Sequence, residues 1–410
     1  MRADKEKQKP SEPPTGGDYR IAVFDAFAHV AAEVWDALLD AQDAPTPFMR
    51  HAYLQALHDS HSASAATGWD CHVITLWRDD RLMAACPLYV KSHSYGEYVF
   101  DWAWARAYAE HGLAYYPKAV IAVPFTPVPG SRLLARDAAS RRALLDTCRR
   151  WCWEQGLSSL HLLFASDADL AAAHSLDGMP RQTVQFHWHR HGLNDFEALL
   201  SSLNQDKRKK IRQERRRVAD AGVQFEVLEG HAITTSDWDF FYACYARTYE
   251  EHGNPPYLSR DFFARLAQSH AQHWVLFIAV RDGQRIACSL IAVDHLDTPQ
   301  ACAYGRYWGA LQRVDSLHFE ACYYQAIAYA IAEGLSRFEG GAQGEHKLSR
   351  GLEPVRTASA HWIADPRFAD AVADFLARER GGVEDYLDEL SEHLPFRADA
   401  SAPDDGGTLP

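Results

Sequence analysis

Residues 78–90 read RDDRLMAACPLYV and residues 281–293 read RDGQRIACSLIAV, and the two align without a gap, sharing Arg, Asp, Ala and Val at matched positions. Each sets a charged two-residue turn between apolar runs, which is how a β-hairpin is written. A second echo follows in the same order. QGLSSL at 155–160 matches EGLSRF at 333–338, each a helical pattern that ends at Gly and runs into a short strand. Two echoes in one order imply a duplicated α/β unit, with roughly 25 more residues between hairpin and helix in the first copy.

The length of 410 residues allows two or three domains, each able to bury its own core. No apolar stretch is long enough to span a bilayer. The opening MRADKEKQKPSEPPTGGD is charged and rich in Pro and Gly, with no apolar core of a secretory signal, so residues 1–18 read as a disordered tail. Residues 398–410 have the same character. Eight cysteines are scattered without a CxxC pair, several in apolar runs, which points to a reducing cytoplasm.

A net charge of −13 argues against a surface that coats nucleic acid, and DNA is not an expected partner. One segment departs from that average. NQDKRKKIRQERRR at 204–217 carries eight Lys/Arg against Asp206 and Glu214. With Ile211 and Val218 seven apart on one face, it reads as a helix that is either a solvated surface element or a phosphate-binding one. In the second case Lys207, Arg208, Lys210 and Arg212 supply the cations.

These anchors order the rest. The first unit, 19–181, reads as a strand at 19–23, helices at 28–39 and 48–60, and a hairpin at 71–90. An aromatic-rich insertion at 91–118, a helix at 138–155 and a strand at 159–164 complete it. A strand at 183–189 crosses into the second unit, 182–380, which begins with the basic helix. A strand at 223–228, helices at 238–249 and 260–270, a hairpin at 274–293 and a strand at 301–308 follow. A helix at 318–333, a strand at 336–339 and terminal helices at 367–380 and 383–392 come last, with 381–410 read as a terminal helix and tail. The order is that of α/β units with mixed central sheets.

The chain resembles the FemAB-like predicted N-acyltransferase group, also labelled peptidoglycan biosynthesis/recognition proteins and related to the Fem-type peptidyltransferases. The residues that carry this are TPFMRHAYLQAL at 46–57, PLYVKSHSYGEYVFDWAWARAY at 87–108 and YYPKAVIAVPFTPVPGSRLL at 115–134. To them are added QFHWHRHG at 185–192, KRKKIRQERR at 207–216, YGRYWG at 304–309, LHFEACYYQAI at 317–327 and EGGAQGEHKLSRGLEPV at 339–355. The resemblance implies tandem domains of the GNAT acyltransferase fold, and transfer of an acyl or aminoacyl group to an amine. It also implies a lysine that stabilises charge at the transferring carbonyl. Lys347 matches it, although His346 stands where the family has Phe. Without the family, GGAQGEHKLSRG also reads as a Gly-rich surface loop.

Transfer to an amine needs a deprotonated nucleophile, a group facing the tetrahedral oxyanion and an acid for the leaving group. Residues 308–320, WGALQRVDSLHFE, lack the Gly-containing pyrophosphate loop of CoA-binding GNAT enzymes, which favours aminoacyl-tRNA over acyl-CoA as co-substrate. No other cofactor is expected. Tyr304, Arg306 and Trp308 alternate along one strand and so share a face. Glu320, with His318 as alternative, is the candidate base, although Glu320 also suits a helix start. In Fem-type enzymes the acceptor lies in a cleft touched by both domains, which makes Lys91, His93, Tyr116 and Lys118 of the insertion acceptor-side candidates. The same aromatics also suit covering the sheet. His187, His189 and His191 recur at period two, but no carboxylate or Cys joins them at ligand spacing, so stacking ranks above a metal.

Two function classes follow. One is a transferase drawing on a phosphate-bearing donor, with a peptidoglycan precursor as the expected acceptor. The other is a non-catalytic tandem protein that recognises such a precursor or an RNA.

Overall fold

The computed structural model describes residues 19–294, 298, 301–341 and 344–396. The two expected tails, 1–18 and 398–410, lie outside them. Thirteen strands form one sheet: β1 (Arg20–Phe24), β2 (Trp69–Arg78), β3 (Arg81–Lys91), β4 (Lys118–Ile121), β5 (Leu134–Ala135), β6 (Ser159–Leu162) and β7 (Met179–His189), then β8 (Val223–Glu229), β9 (Trp274–Arg281), β10 (Gln284–Asp294), β11 (Cys302–Ala310), β12 (Arg337–Glu339) and β13 (Glu353–Ile363).

The two sequence echoes occupy equivalent places. The β2–β3 turn sets Asp79 and Asp80 at φ +48° and +59°, and the β9–β10 turn sets Asp282 and Gly283 at +52° and +72°, a pair of left-handed residues in both. Such turns match the right-handed twist of the strands they join. Helix Ala138–Glu154 and the helical segment ending at Ala332 close alike. Gly156 and Gly334 lie at φ +69° and +73°, and the next residue, Leu157 or Leu335, donates its N–H five residues back, to Cys152 or Ala330. That closure satisfies orphan carbonyls while a buried Leu packs beneath the helix end.

The sheet order is β1-β2-β3-β4-β6-β13-β7-β12-β11-β10-β9-β8, with β5 against β3. It is two copies of one order, facing each other. In each copy only one neighbouring pair is parallel, β4 with β6 and β11 with β12. β7 follows β6 in the chain yet lies beside β12, and β13 follows β12 yet lies beside β6. The last strands of the two halves have exchanged places and pair with each other antiparallel, from Glu353 opposite His187 to His361 opposite Met179. The fold is therefore two α/β units sharing one large mixed sheet, as the tandem reading of the sequence expects. The boundary expected at 181/182 falls inside β7.

Differences from the sequence reading have local causes. β13 escaped notice because EPVRTASAHWI mixes Pro, Thr, Ser and His with few large apolar residues. Its place at the sheet centre comes from pairing on both sides, to β7 and β6. The two expected terminal helices are one, Pro366–Glu392, which runs through Gly381 and Gly382. Leu376 and Leu390 bury on either side of that pair and carry the helix across it. The expected insertion at 91–118 contains a helix, Trp102–Glu110, and ends on β4.

These glycines predict opposite responses to one substitution. Gly156→Ala keeps open space around the new methyl but forces a left-handed alanine, and should lower stability by about 1 kcal/mol. Gly381→Ala, also in open space but inside the helix, should raise it by about 0.5–1 kcal/mol. Urea denaturation of both variants reads the two signs.

Candidate active site

β11 and β12 pair through Cys302–Arg337, Ala303–Phe338 and Tyr304–Glu339 and then part. Two local features part them. In β11 a bulge leaves Arg306 unpaired, since Leu290 faces Tyr307 while Ile291 faces Gly305. After β12 the chain turns to β7, where Gly340 N–H donates to the Phe186 carbonyl at 2.9 Å. A Cβ at Gly340 would lie 2.5 Å from the Leu352 side chain, so glycine is needed for this close approach.

The gap holds space on both faces of the sheet. On one face Tyr98, Phe125, Gln185, Tyr249 and Glu339 line a cavity of about 200 Å³. On the other, Ser289, His318, Cys322 and Tyr323 line one of about 150 Å³. Gly305, Arg306, Tyr307 and Gly340 border both, so the two cavities lie back to back at the split in the sheet. The equivalent place in the first half, beyond Ile121 and Leu162, is closed. There Val99, Ala122, Leu163 and Phe164 bury together, and a Gly130–Ala165 bridge spans the strands.

Arg306 joins the halves across the cavity. Its Nη2 donates to the Phe125 carbonyl at 3.0 Å and to Thr126 Oγ1 at 3.1 Å, while the guanidinium lies over Phe48 and Tyr307 at 4.9 and 5.0 Å. Glu339, 3% exposed, accepts at Oε1 from Arg337 Nε at 3.0 Å, and its Oε2 has no hydrogen-bond partner. Burial pushes this carboxyl above its ordinary range. His187 Nε2 lies 3.8 Å from Oε2, and burial, followed by the nearby Arg337, brings that imidazole down to about 3, so it is neutral.

Lys347 donates from Nζ to the Gly341 carbonyl at 3.0 Å, and Gly341 itself lines the first cavity. Burial lowers the ammonium to about 8. Its side chain also borders a groove of about 510 Å³ with Phe100, Thr183, Phe186 and Tyr386, which adjoins the first cavity at Tyr98 and Pro127. His318 lines the second cavity and is brought down to about 4 by burial, then by His346 and Arg350. His346 is exposed, with Nε2 3.2 Å from the Tyr323 hydroxyl.

Other sequence candidates lie elsewhere. Tyr304 is 2% exposed, packed edge-on against Phe48 at 5.2 Å, and borders neither cavity of the gap. The bulge at Arg306 breaks the expected alternation: Tyr307 packs in the same core as Tyr304, whereas Trp308 packs in another. Glu320 faces away from the gap. It accepts from Arg215 Nε at 3.2 Å and Gln325 Nε2 at 2.7 Å, on the side of the basic helix.

The insertion's four candidates are structural in placement. Lys118 Nζ, fully buried, donates to Glu97 Oε2 and Ser94 Oγ at 2.8 Å and pairs with Asp101. Tyr116 hydrogen-bonds Ser94 at 2.8 Å, and His93 Nδ1 accepts from Tyr95 N–H at 3.2 Å. Lys91 lies 3.5 Å from the centre of the Trp69 ring, and burial brings it down to about 7. None of the four borders the cavities or the groove. Their network instead folds the insertion so that Tyr98, at φ +60°, and Phe100 reach them.

The basic helix, Gln205–Asp220, is capped by Asn204 and buries Ile211, Glu214 and Val218. Glu214 holds Arg350 at 3.0 Å behind the loop that carries Lys347. Lys207 donates to Ser349 Oγ at 3.3 Å and Arg212 pairs with Glu197 at 2.7 Å. Arg208 and Lys210 have no ion pair among the described residues. His187 faces the interior, while the His189 and His191 rings lie 5.7 Å apart and His191 reaches Glu353 at 2.7 Å.

The chain matches the FemAB-like peptidoglycan biosynthesis/recognition family over residues 26–398. It belongs to that family. No curated protein matches it. Among solved structures it is similar to FemX, at 12% identity over 84% of this chain and 99% of that one, with a TM-score of 0.52. The C-terminal domain of a putative lysylphosphatidylglycerol synthetase from Agrobacterium fabrum is 11% identical over 85% of this chain and 96% of that one, at 0.51. A tandem GNAT protein of the clavulanic acid biosynthesis pathway is 14% identical over 85% and 99%, at 0.44. The family is one of peptidoglycan biosynthesis or recognition, and the fold is that of tandem GNAT-like acyltransferases. No helix among the described residues is long and apolar enough to cross a membrane.

The buried network of the insertion gives a stability prediction. Lys118→Met leaves Glu97 and Asp101 buried without their cation and should cost about 3–5 kcal/mol. Adding Glu97→Gln and Asp101→Asn should recover most of it. Urea denaturation of the single and triple variants measures both.

Proposed function

We propose that this FemAB-like protein transfers an acyl or aminoacyl group to an amine at the gap between β11 and β12, with aminoacyl-tRNA favoured over acyl-CoA as donor. The acceptor in this reading is a cell-wall precursor that carries an amine. The observation that carries it is the asymmetry of the duplication: one half keeps cavities on both faces where its strands part, and the other fills that place with apolar side chains. An opening between two faces lets donor and acceptor approach from opposite sides, which holds the reacting atoms together.

The donor side is supported by chemistry on the second face. In a CoA-type site, backbone amides before the helix at Leu317 would hold a pyrophosphate. Here the Leu311 and Gln312 N–H groups already donate to the Ile286 carbonyl at 2.7 and 3.3 Å. Arg208 and Lys210 of the basic helix remain available to phosphates, and Lys210 is close enough to the 346 ring to help hold His346 below its ordinary value.

In the reaction the amine nitrogen attacks the ester carbonyl, a C–N bond forms and the C–O bond to the tRNA ribose breaks. The ammonium loses its proton, and the departing hydroxyl takes one up. Lys347 is proposed to face the oxyanion, since the loop's other cation, Arg350, is held by Glu214. Its ammonium, lowered to about 8, is charged at neutral pH and discharges as pH rises through that value.

Purified protein given radiolabelled aminoacyl-tRNA or acetyl-CoA, with bacterial cell-wall precursors as acceptors, tests this. Label should move from the tRNA, and Lys347→Ala should lower kcat on the order of 10²–10³-fold. The rate should fall above about pH 8 in the wild type, and Lys347→Arg should abolish that limb because a guanidinium does not titrate there. Transfer from acetyl-CoA alone would overturn the donor assignment. Tight binding of precursor or RNA without product would replace catalysis by recognition.

A further inference from the structure

Glu339 ends the strand expected at 336–339, and it closes β12 at the point where the sheet opens. Its two carboxylate oxygens have different surroundings. Oε1 is fixed by Arg337 Nε at 3.0 Å, with Cys302 Sγ at 3.8 Å. Oε2 is buried, has no hydrogen-bond partner, and belongs to a residue that lines the first cavity. A carboxylate held by one oxygen presents the other in a fixed direction.

The walls suit a cation. Tyr98, Phe125, Tyr249 and Tyr307 surround the same space, and aromatic faces attract an ammonium. At about 200 Å³ the cavity admits an alkylamine-sized group. Charged and titratable neighbours come from every side. Arg337 is on its own strand, Cys302, Tyr304 and Arg306 on β11, His187 and His189 on β7, and Arg132 on the loop after β4. Arg306 lines the cavity with its Nη2 engaged by the Phe125 carbonyl and Thr126 Oγ1, and Arg337 is spent on Oε1. His187, kept neutral by burial, adds no competing charge.

We propose that Glu339 receives the acceptor amine: Oε2 binds it as an ammonium and takes its proton, so that the free amine attacks the donor carbonyl. The proton passes from nitrogen to Oε2, the nitrogen lone pair forms the new C–N bond, and the leaving ribose hydroxyl takes a proton from solvent or from the protonated Glu339. The assignment deepens the transfer reading and rests on it. Burial raises the carboxyl above its ordinary value, which makes it a better base than a solvent-exposed glutamate.

Two measurements separate this assignment from the transfer reading. In the first, glutamate carboxyls are isotope-labelled and followed by NMR as ethylammonium chloride is added, with Glu339→Gln and Glu339→Asp as controls. The wild type should show one carboxyl resonance, missing from Glu339→Gln, that titrates above the ordinary glutamate range and moves with ethylammonium. No such resonance, or one indifferent to the amine, overturns the proposal.

In the second, transfer is followed against pH. Glu339→Gln should lower the rate on the order of 10²–10⁴-fold near neutral pH. The deficit should shrink as pH rises toward the acceptor amine's own pKa, where no base is needed. A structural role would give a deficit independent of pH. A Glu339→Gln rate within about threefold of wild type at every pH overturns the proposal. Should ethylammonium bind at Glu339 while the wild type transfers from no donor, the transfer reading fails and the ammonium site stands. If Glu339→Gln does not fold, Glu339→Asp supplies both controls.

Discussion

Everything in this structure depends on the antiparallel pair that β7 and β13 form at the centre of the sheet. Each strand ends one half of the chain and completes the sheet of the other. The halves therefore cannot separate as beads on a linker would, because parting them breaks a continuous hydrogen-bonded ladder and exposes new edges. The packing above the sheet follows suit. Tyr53 of the first half meets Phe262 of the second edge-on at 5.4 Å, and Phe48 meets Tyr304 at 5.2 Å. The cavity beside Glu339 accordingly has walls from both halves, with Tyr98 and Phe125 from one and Tyr249 and Tyr307 from the other.

Duplication makes two equivalent gaps, and small changes give them different fates. The pairing of β4 with β6 ends at Ile121 and Leu162, as that of β11 with β12 ends at Tyr304 and Glu339. Past that point the first half continues with Ala122, Leu163 and Phe164, which bury against Val99. The second continues with Gly305, the bulged Arg306 and Gly340. Apolar side chains exclude water and substrate alike, whereas two glycines and a bulge leave the gap open and line it with polar groups.

How much of this was legible in the sequence follows from the range of the forces involved. Hairpin turns and helix ends are local, and the paired echoes at 78–90 with 281–293 and 155–160 with 333–338 announced them. The basic helix was legible too, since Ile211 and Val218 share its buried face. β13 was not, because its burial is imposed by neighbours far away in sequence rather than by its own composition. Among site residues, Lys347, His318 and Arg306 do border the cavities or groove of the second half. Glu320 and Tyr304 do not: Tyr304 lies before the bulge and packs against Phe48, and Glu320 is held by Arg215 and Gln325 on the side of the basic helix. Glu339 carried no local signal: only the ending of strand pairing beside it makes that carboxylate notable.

The measurement that tests the central claim most directly is a crystal structure of the protein soaked with a non-hydrolysable aminoacyl-adenosine analogue. The account predicts its acyl group between Gly305 and Gly340, within reach of Lys347 and Glu339. Density at the first half's closed gap, beside Ala122 and Leu163, or only along the basic helix, would contradict it.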